Sequence, residues 1–268
     1  MRSLLCNCAR SLLPRPSKGS APRALHSLAV VHLALWPASP AHRATALDRS
    51  ARFRATPAMA AAAGDDLKAS KQALRKELRS KLASMDDDAI LRASEGVARQ
   101  LFASPAYARS KGVACFLSMP KEFNTRPIIE RLFADGKRVY FPRVESVKEH
   151  TMSMLEASSM ADVDEFPPGR WNIPEPARDG PARVEACEVG SDLDLIVVPG
   201  LAFDASGGRL GQGAGFYDRY LARVQECKGQ GSVALVGVTL DELLIEHVPR
   251  DAHDFVMDCV LWPSKADR

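Results

Sequence analysis

The chain has 268 residues and 46% apolar content, enough to bury one large core or two small ones. Its net charge of +3 hides an uneven spread: residues 1–64 hold nine bases against one acid, Asp48, whereas residues 65–268 hold 27 bases and 32 acids. A body with a net charge of −5 gives no electrostatic ground for nucleic-acid binding, and the apolar run Leu25–Leu35 is too short to span a bilayer.

Residues 1–64 are rich in Arg, Ser, Ala and Pro and nearly free of acids, the composition of an organellar transit peptide with no fold of its own. The expected destination is the mitochondrion, with the plastid as the alternative. Met59 is a plausible second start that would give a cytosolic form. Residues 65–268 then make a single domain.

Within that domain, Leu67, Leu74, Leu78 and Leu82 predict a helix over Asp65–Ser84, and a second follows over Asp86–Ala103. Gly112–Leu117 reads as an apolar strand, Thr125–Asp135 as a helix, and Arg138–Pro142 and His150–Leu155 as strands. Phe166–Val184, rich in Pro and Gly, reads as a long loop. Leu193–Val198, Val233–Val238 and Phe255–Leu261 are further strands, with a helix over Phe216–Lys228. Apolar strands separated by helices predict an α/β fold whose mostly parallel sheet is covered on both faces. Ligands bind beyond the C-terminal ends of such strands, which the loops Ser118–Asn124, Pro199–Gly208 and Thr239–Asp241 leave.

The segment GGRLGQGAGFYDRY, Gly207–Tyr220, is the most informative. Five glycines just before an amphipathic helix leave backbone N–H groups free to wrap an anion, and the helix's positive end points at the same place. Arg209 adds a cation, and Asp218 in the first helical turn offers an oxygen ligand for a divalent metal. Glycine clusters also make plain turns. The dinucleotide fingerprint is excluded because PGLAFDAS separates strand and glycines, and no Gly-Lys-Ser/Thr triplet occurs for a Walker loop. None of the six cysteines has CxxC spacing, so neither a zinc site nor a redox pair is suggested.

Seven segments, KQALR (71–75), FLSMPKEFNT (116–125), FPR (141–143), WNIPEP (171–176), DLIVVPGLAFD (194–204), RLGQGAGFYDRY (209–220) and VPRDAHDFVMDCV (248–260), stand in an order and spacing similar to the 5-formyltetrahydrofolate cyclo-ligase family, also called methenyltetrahydrofolate synthetases. The resemblance implies a three-layer α/β/α sandwich. It also implies Mg2+- and ATP-dependent closure of 5-formyltetrahydrofolate, with or without a polyglutamate tail, to 5,10-methenyltetrahydrofolate. A monomer is expected.

By the same resemblance, Lys71, Gln72, Ala73, Leu74 and Arg75 bind ATP together with Arg209, Leu210, Gly211, Gln212, Gly213, Ala214, Gly215, Phe216 and Tyr217. Arg209 and Tyr217 are the expected catalytic groups. Leu117, Met119, Glu122 and Trp171 take the folate, together with Gln212, Gly213, Ala214, Gly215 and Phe216; Asn172 lies beside Trp171 and Arg143 suits either ligand. Asp218 and Asp258 are the expected magnesium carboxylates. Without the resemblance, Lys71 and Arg75 read as a solvated basic face. The chain departs from the family at Gln212, Ala214 and Phe216, where other members often carry a basic residue, Lys or Gly, and Tyr. His150, His247 and His253 lack metal-ligand spacing.

Overall fold

The computed structural model describes residues 57–263, so residues 1–56 of the expected leader lie outside the described residues. Helix α1 runs Pro57–Ala83, starting earlier than the leucine spacing predicts. Helix α2, Asp87–Ala103, is capped by Asp86, whose carboxylate accepts from Ala89 N at 3.0 Å. A short helix α3, Pro105–Arg109, leads to strand β1, Gly112–Ala114. Next come α4 (Arg126–Ala134), β2 (Arg138–Ser146), β3 (Thr151–Ala157) and α5 (Met160–Asp164). Strand β4 is Leu193–Val198, followed by β5 (Ala202–Asp204), β6 (Arg209–Leu210) and α6 (Phe216–Lys228). The chain ends through β7 (Ala234–Val238), β8 (Leu244–Ile245) and β9 (Cys259–Leu261).

The main sheet has the order β3-β2-β1-β4-β7-β9. Every pair is parallel except β2–β3. From β1 the next parallel strand is laid to one side, and from β4 to the other. The order therefore reverses between β1 and β4, leaving a crevice beyond their C-terminal ends. Alternating side chains serve the two faces: Ala114, Tyr140, Ile196 and Val198 join Tyr220, Leu221 and Val224 of α6 in one buried cluster. Val113, Val139, Leu195 and Val197 are equally buried and point the other way, where α4 lies against β2 and α2 against β9. The fold is an α/β/α sandwich.

Local chemistry explains where strands depart from expectation. Strand β1 ends early because the Phe116 carbonyl accepts from Thr125 Oγ1 at 2.8 Å, turning the chain out of the sheet. Strand β2 continues through Pro142, which pairs with Met154 of β3 in a stretch where β1 no longer needs an N–H. The final strand shrinks to Cys259–Leu261 because Met257 N bonds to Gly207 O at 2.9 Å instead.

Sequence periodicity misses a second sheet, β6-β5-β8, whose strands are only two or three residues long. Phe203 of β5 packs against the backbone at Gly200 and Gly237, where an added Cβ would stand 2.6 and 2.4 Å from its ring. Asp204, 1% exposed, accepts from Ser206 N, Gly208 N and Val248 N at 2.9, 2.8 and 2.9 Å and from Ser206 Oγ at 2.6 Å. Burial works to raise its pKa, but these donors prevail and hold the carboxylate below its usual range. Asp204→Ala should lose about 3 kcal/mol in urea unfolding near neutral pH, because four donors, two of them in buried bonds, lose their acceptor. The gap to the parent should narrow only below about pH 4, where the parent's own carboxylate takes up a proton.

Candidate active site

A cavity of ≈ 630 Å³ opens at the reversal point. Phe116 and Leu117 enter it just beyond β1, and Pro199 and Gly200 just beyond β4. The continuous segment Arg209–Asp218 forms one wall, facing Lys71, Arg75 and Arg79 of α1.

The wall is shaped for an anion. Gly215, the residue before α6, has φ 75°, and Gly213 has φ 106°, backbone states that a side chain would strain. The first α-helical bond of α6 is from Arg219 N to Gly215 O, so the N–H groups of Phe216, Tyr217 and Asp218 have no intrahelical acceptor. Two cavity-lining arginines of α1 also brace the loop: Arg75 Nε donates to Gly211 O at 2.8 Å and Arg79 Nη2 to Gln212 O at 3.1 Å. Burial lowers the pKa of Arg75, neighbouring Arg79 lowers it further, and Asp254 opposes both.

Arg209 is deeply placed, with 4% of its side chain exposed. It donates to Asp218 Oδ1 at 2.5 Å and to Pro199 O at 3.3 Å, while its Nε has no partner. The Tyr217 hydroxyl is also buried without a partner. Burial raises the Tyr217 pKa, so the phenol keeps its proton as a donor. Two unsatisfied donors in one polar wall are the signature of a site built for a ligand's oxygens.

The opposite half of the cavity is apolar, with Leu117, Met119, Pro142, Val144, Met152 and Ile173. Into it projects Glu122, whose Oε2 accepts from Met119 N at 3.0 Å. Burial pushes this carboxyl up to about 7, against the opposing Met119 N–H. Trp171 forms the rim at 60% exposure, with φ 56° and its ring edge-on to Phe216 at 5.7 Å. Its loop is pinned by a bridge between Pro168 and Pro174 and by Glu175, 9% exposed, which accepts from Val144 N at 3.1 Å. A flat heterocycle with ring N–H donors suits such a slot, and a phosphate chain suits the wall beside it.

The profile of the 5-formyltetrahydrofolate cyclo-ligase family matches residues 67–263, which contain every side chain of this cavity. The chain belongs to that family. It is an enzyme of the cyclo-ligase class. The mouse 5-formyltetrahydrofolate cyclo-ligase is 36% identical over 195 residues, 72% of this chain and 93% of the mouse protein. The Arabidopsis thaliana relative named 5-formyltetrahydrofolate cyclo-ligase, mitochondrial, is 29% identical, with 75% and 76% of the two chains covered. Among solved structures, the Aquifex aeolicus 5,10-methenyltetrahydrofolate synthetase superposes with a TM-score of 0.58 at 32% identity, covering 71% of this chain and 88% of the other. A Mycoplasma pneumoniae synthetase shares the fold, with a TM-score of 0.54 at 18% identity over 72% and 99% of the two chains.

Within this cyclo-ligase, the structure brings Lys71, Arg75, Leu117, Met119, Glu122, Trp171 and all of Arg209–Asp218 to one cavity. Gln72, Ala73 and Leu74 share α1 but do not line it. Asp258 lies apart from these residues. It sits exposed just before β9, where its Oδ2 accepts from Leu235 N at 2.8 Å, and it is not part of the cavity wall. That position is at the starting ends of the parallel strands, whereas the cavity lies beyond their finishing ends. Arg143 is spent on Glu145 and Ala177 O.

Among the described residues no group of three or more His, Cys, Asp or Glu could hold a metal ion. A magnesium ion on a phosphate chain needs only one or two protein carboxylates, and Asp218 beside Arg209 meets that requirement. Sequence reasoning missed Arg79, Glu175 and Asp254. Arg79 continues the four-residue spacing of Lys71 and Arg75, the signal that could have found it.

Glu122→Gln tests the buried carboxyl. Its raised pKa means the folded parent loses stability as pH climbs from about 4.5 to 7, with no further loss above. The variant, still able to accept from Met119 N–H, should therefore gain on the parent across that window, by at most on the order of 3 kcal/mol. Urea titrations at pH 4.5, 6 and 8 would show it, and a gap independent of pH would refute it.

Proposed function

We propose that this chain closes 5-formyltetrahydrofolate to 5,10-methenyltetrahydrofolate at the expense of ATP, with magnesium, releasing ADP and phosphate. One observation carries the reading: a single cavity joins an anion cradle to an apolar slot that bears the Glu122 carboxyl. Phosphoryl transfer asks a protein mainly for alignment and charge stabilisation, which this wall supplies.

The phosphates of ATP lie against the glycine loop and the N-terminus of α6, with Lys71, Arg75 and Arg209 as cations. Magnesium, when bound at Asp218, would neutralise developing phosphate charge. The pterin enters the apolar slot, its ring N–H groups toward Glu122 and its face against Met119. The N5-formyl oxygen then attacks the γ-phosphorus, ADP leaves, and an N5 iminium phosphate forms. The N10 lone pair adds to that carbon, the N10 proton departs, and the C–O bond breaks to release phosphate. Arg209 Nε and the Tyr217 hydroxyl, both without partners, are the donors for the oxygens that change charge. Trp171 and Phe216 cover the slot and keep water from the activated carbon.

A mitochondrial location, with the plastid as the alternative, is supported by the basic, acid-poor residues 1–64 and by the name of the Arabidopsis relative. Among the described residues no helix is long and apolar enough to cross a membrane.

The test uses 5-formyltetrahydrofolate labelled with ¹⁸O in the formyl group. Near-ultraviolet absorbance of the methenyl product should grow only with Mg-ATP, and the label should end in inorganic phosphate. Label released into water, or turnover without ATP, would contradict the reading. Arg209→Ala should fold and lose at least about 100-fold in kcat, the typical cost of a missing transition-state donor.

A further inference from the structure

Cys187 and Cys227 stand 40 positions apart, and no local spacing joins them. The fold does. Cys187 lies in the segment before β4, and Cys227 in the last turn of α6. Polar contacts tie the two segments together on either side of the thiols. Tyr220 Oη and Arg223 Nη2 of α6 donate to Glu185 Oε1 and Oε2 at 3.2 and 3.0 Å. Further along both segments, Lys228 Nζ donates to Ser191 O at 3.0 Å. Between these anchors the Cys187 and Cys227 side chains hydrogen-bond to one another, both as free thiols. Neither lines the catalytic cavity.

The two thiols differ in their access to an oxidant. Cys227 is exposed, so a small disulfide can reach it. Cys187 is half-buried, and burial, the bond with Cys227 and the charge of Glu185 all raise its pKa. Attack therefore begins at Cys227. The Cys187 S–H also donates to Tyr220 Oη, 3.8 Å away, whereas the Tyr220 proton goes to Glu185. Loss of the Cys187 proton leaves that tyrosine bond intact and strands no buried donor.

We propose that Cys187 and Cys227 form a thiol-oxidation site, closing as an intramolecular disulfide that clasps the last turn of α6 to the segment before β4. The co-reactant is a small-molecule disulfide of the glutathione type. The Cys227 thiolate attacks one of its sulfurs, forming a mixed disulfide and expelling a thiolate that takes up the proton Cys227 gave up. Cys187, deprotonated in turn, attacks the Cys227 sulfur and expels the second small thiol. Two protein thiols and one small disulfide thus become one protein disulfide and two small thiols. The clasp closes a loop of about 40 residues, a restraint felt mainly by the unfolded chain. It does not depend on the reaction assigned to the cavity.

The test incubates the native full chain with excess glutathione disulfide at pH 8. Free thiols are then capped with N-ethylmaleimide, and the protein is digested with trypsin without reductant. Peptides 184–209 and 224–228, which carry the two cysteines, should appear joined, and dithiothreitol should part them. Cys187→Ser and Cys227→Ser should each abolish the joined species, and Cys187→Ser should keep glutathione on Cys227. The oxidised parent should melt about 5 °C or more above the reduced one, a shift absent from both variants. Glutathione left on Cys227 of the parent, or both thiols left free, with no joined peptides, would overturn the inference. So would joining that requires urea, or joining of either cysteine to any other instead. An oxidised form that melts no higher than the reduced one would also overturn it, since the bond would then be forced on the fold.

Discussion

The N-terminus of α6 is the constraint on which the rest of the site depends. A helix start leaves N–H groups without partners, and burying them beside a cavity is tolerable only if something negative arrives. Here Gly213 and Gly215 hold the approach in positive-φ backbone, and Arg75 and Arg79 grip the carbonyls of Gly211 and Gln212. The sheet determines where that cradle lies. Because strand order reverses between β1 and β4, α6 and the β1 exit loop flank one crevice, and the glycine loop and the apolar slot become neighbours.

Two cavity cations are held by carboxylates before any ligand enters. Arg209 is paired with Asp218, and Lys71 with Asp251 and Asp254. Such pairs keep long side chains in place without leaving isolated buried charges, whose desolvation would be costly. The unsatisfied groups, Arg209 Nε and the Tyr217 hydroxyl, are donors. Free donors in that wall are complementary to phosphate oxygens. The slot opposite is apolar except for Glu122 and Glu175, so a ligand there is oriented by few polar contacts and shielded from water by Phe216 and Trp171.

Much of this was legible in the sequence. Leu193–Val198 is a strand from end to end because a fully buried parallel strand is a continuous apolar run. Phe216–Lys228 is a helix because glycines precede an amphipathic stretch. The glycine loop stood out by composition and the family spacing pointed to Glu122 and Trp171, and all of them line one cavity. What was not legible depends on distant pairings. Two- and three-residue strands such as β5, β6 and β8 carry no periodicity, and Asp204 shows its role only once four donors converge on it. Asp258 stood among apolar neighbours that suggested a buried strand. The chain enters the sheet only at Cys259, which leaves Asp258 at the strand's exposed mouth. The pairing of Asp254 with Lys71 joins opposite ends of the domain, beyond the reach of any local pattern.

The central claim is that one cavity holds phosphates on the α6 side and folate on the β1 side. Amide chemical-shift mapping of the isotopically labelled chain tests it most directly. Adding the magnesium complex of a non-hydrolysable ATP analogue should move the resonances of Gly211 through Asp218. Adding 5-formyltetrahydrofolate alone should move those of Leu117, Met119, Glu122 and Trp171. A nucleotide footprint that leaves the glycine loop and the first turn of α6 undisturbed would contradict the account.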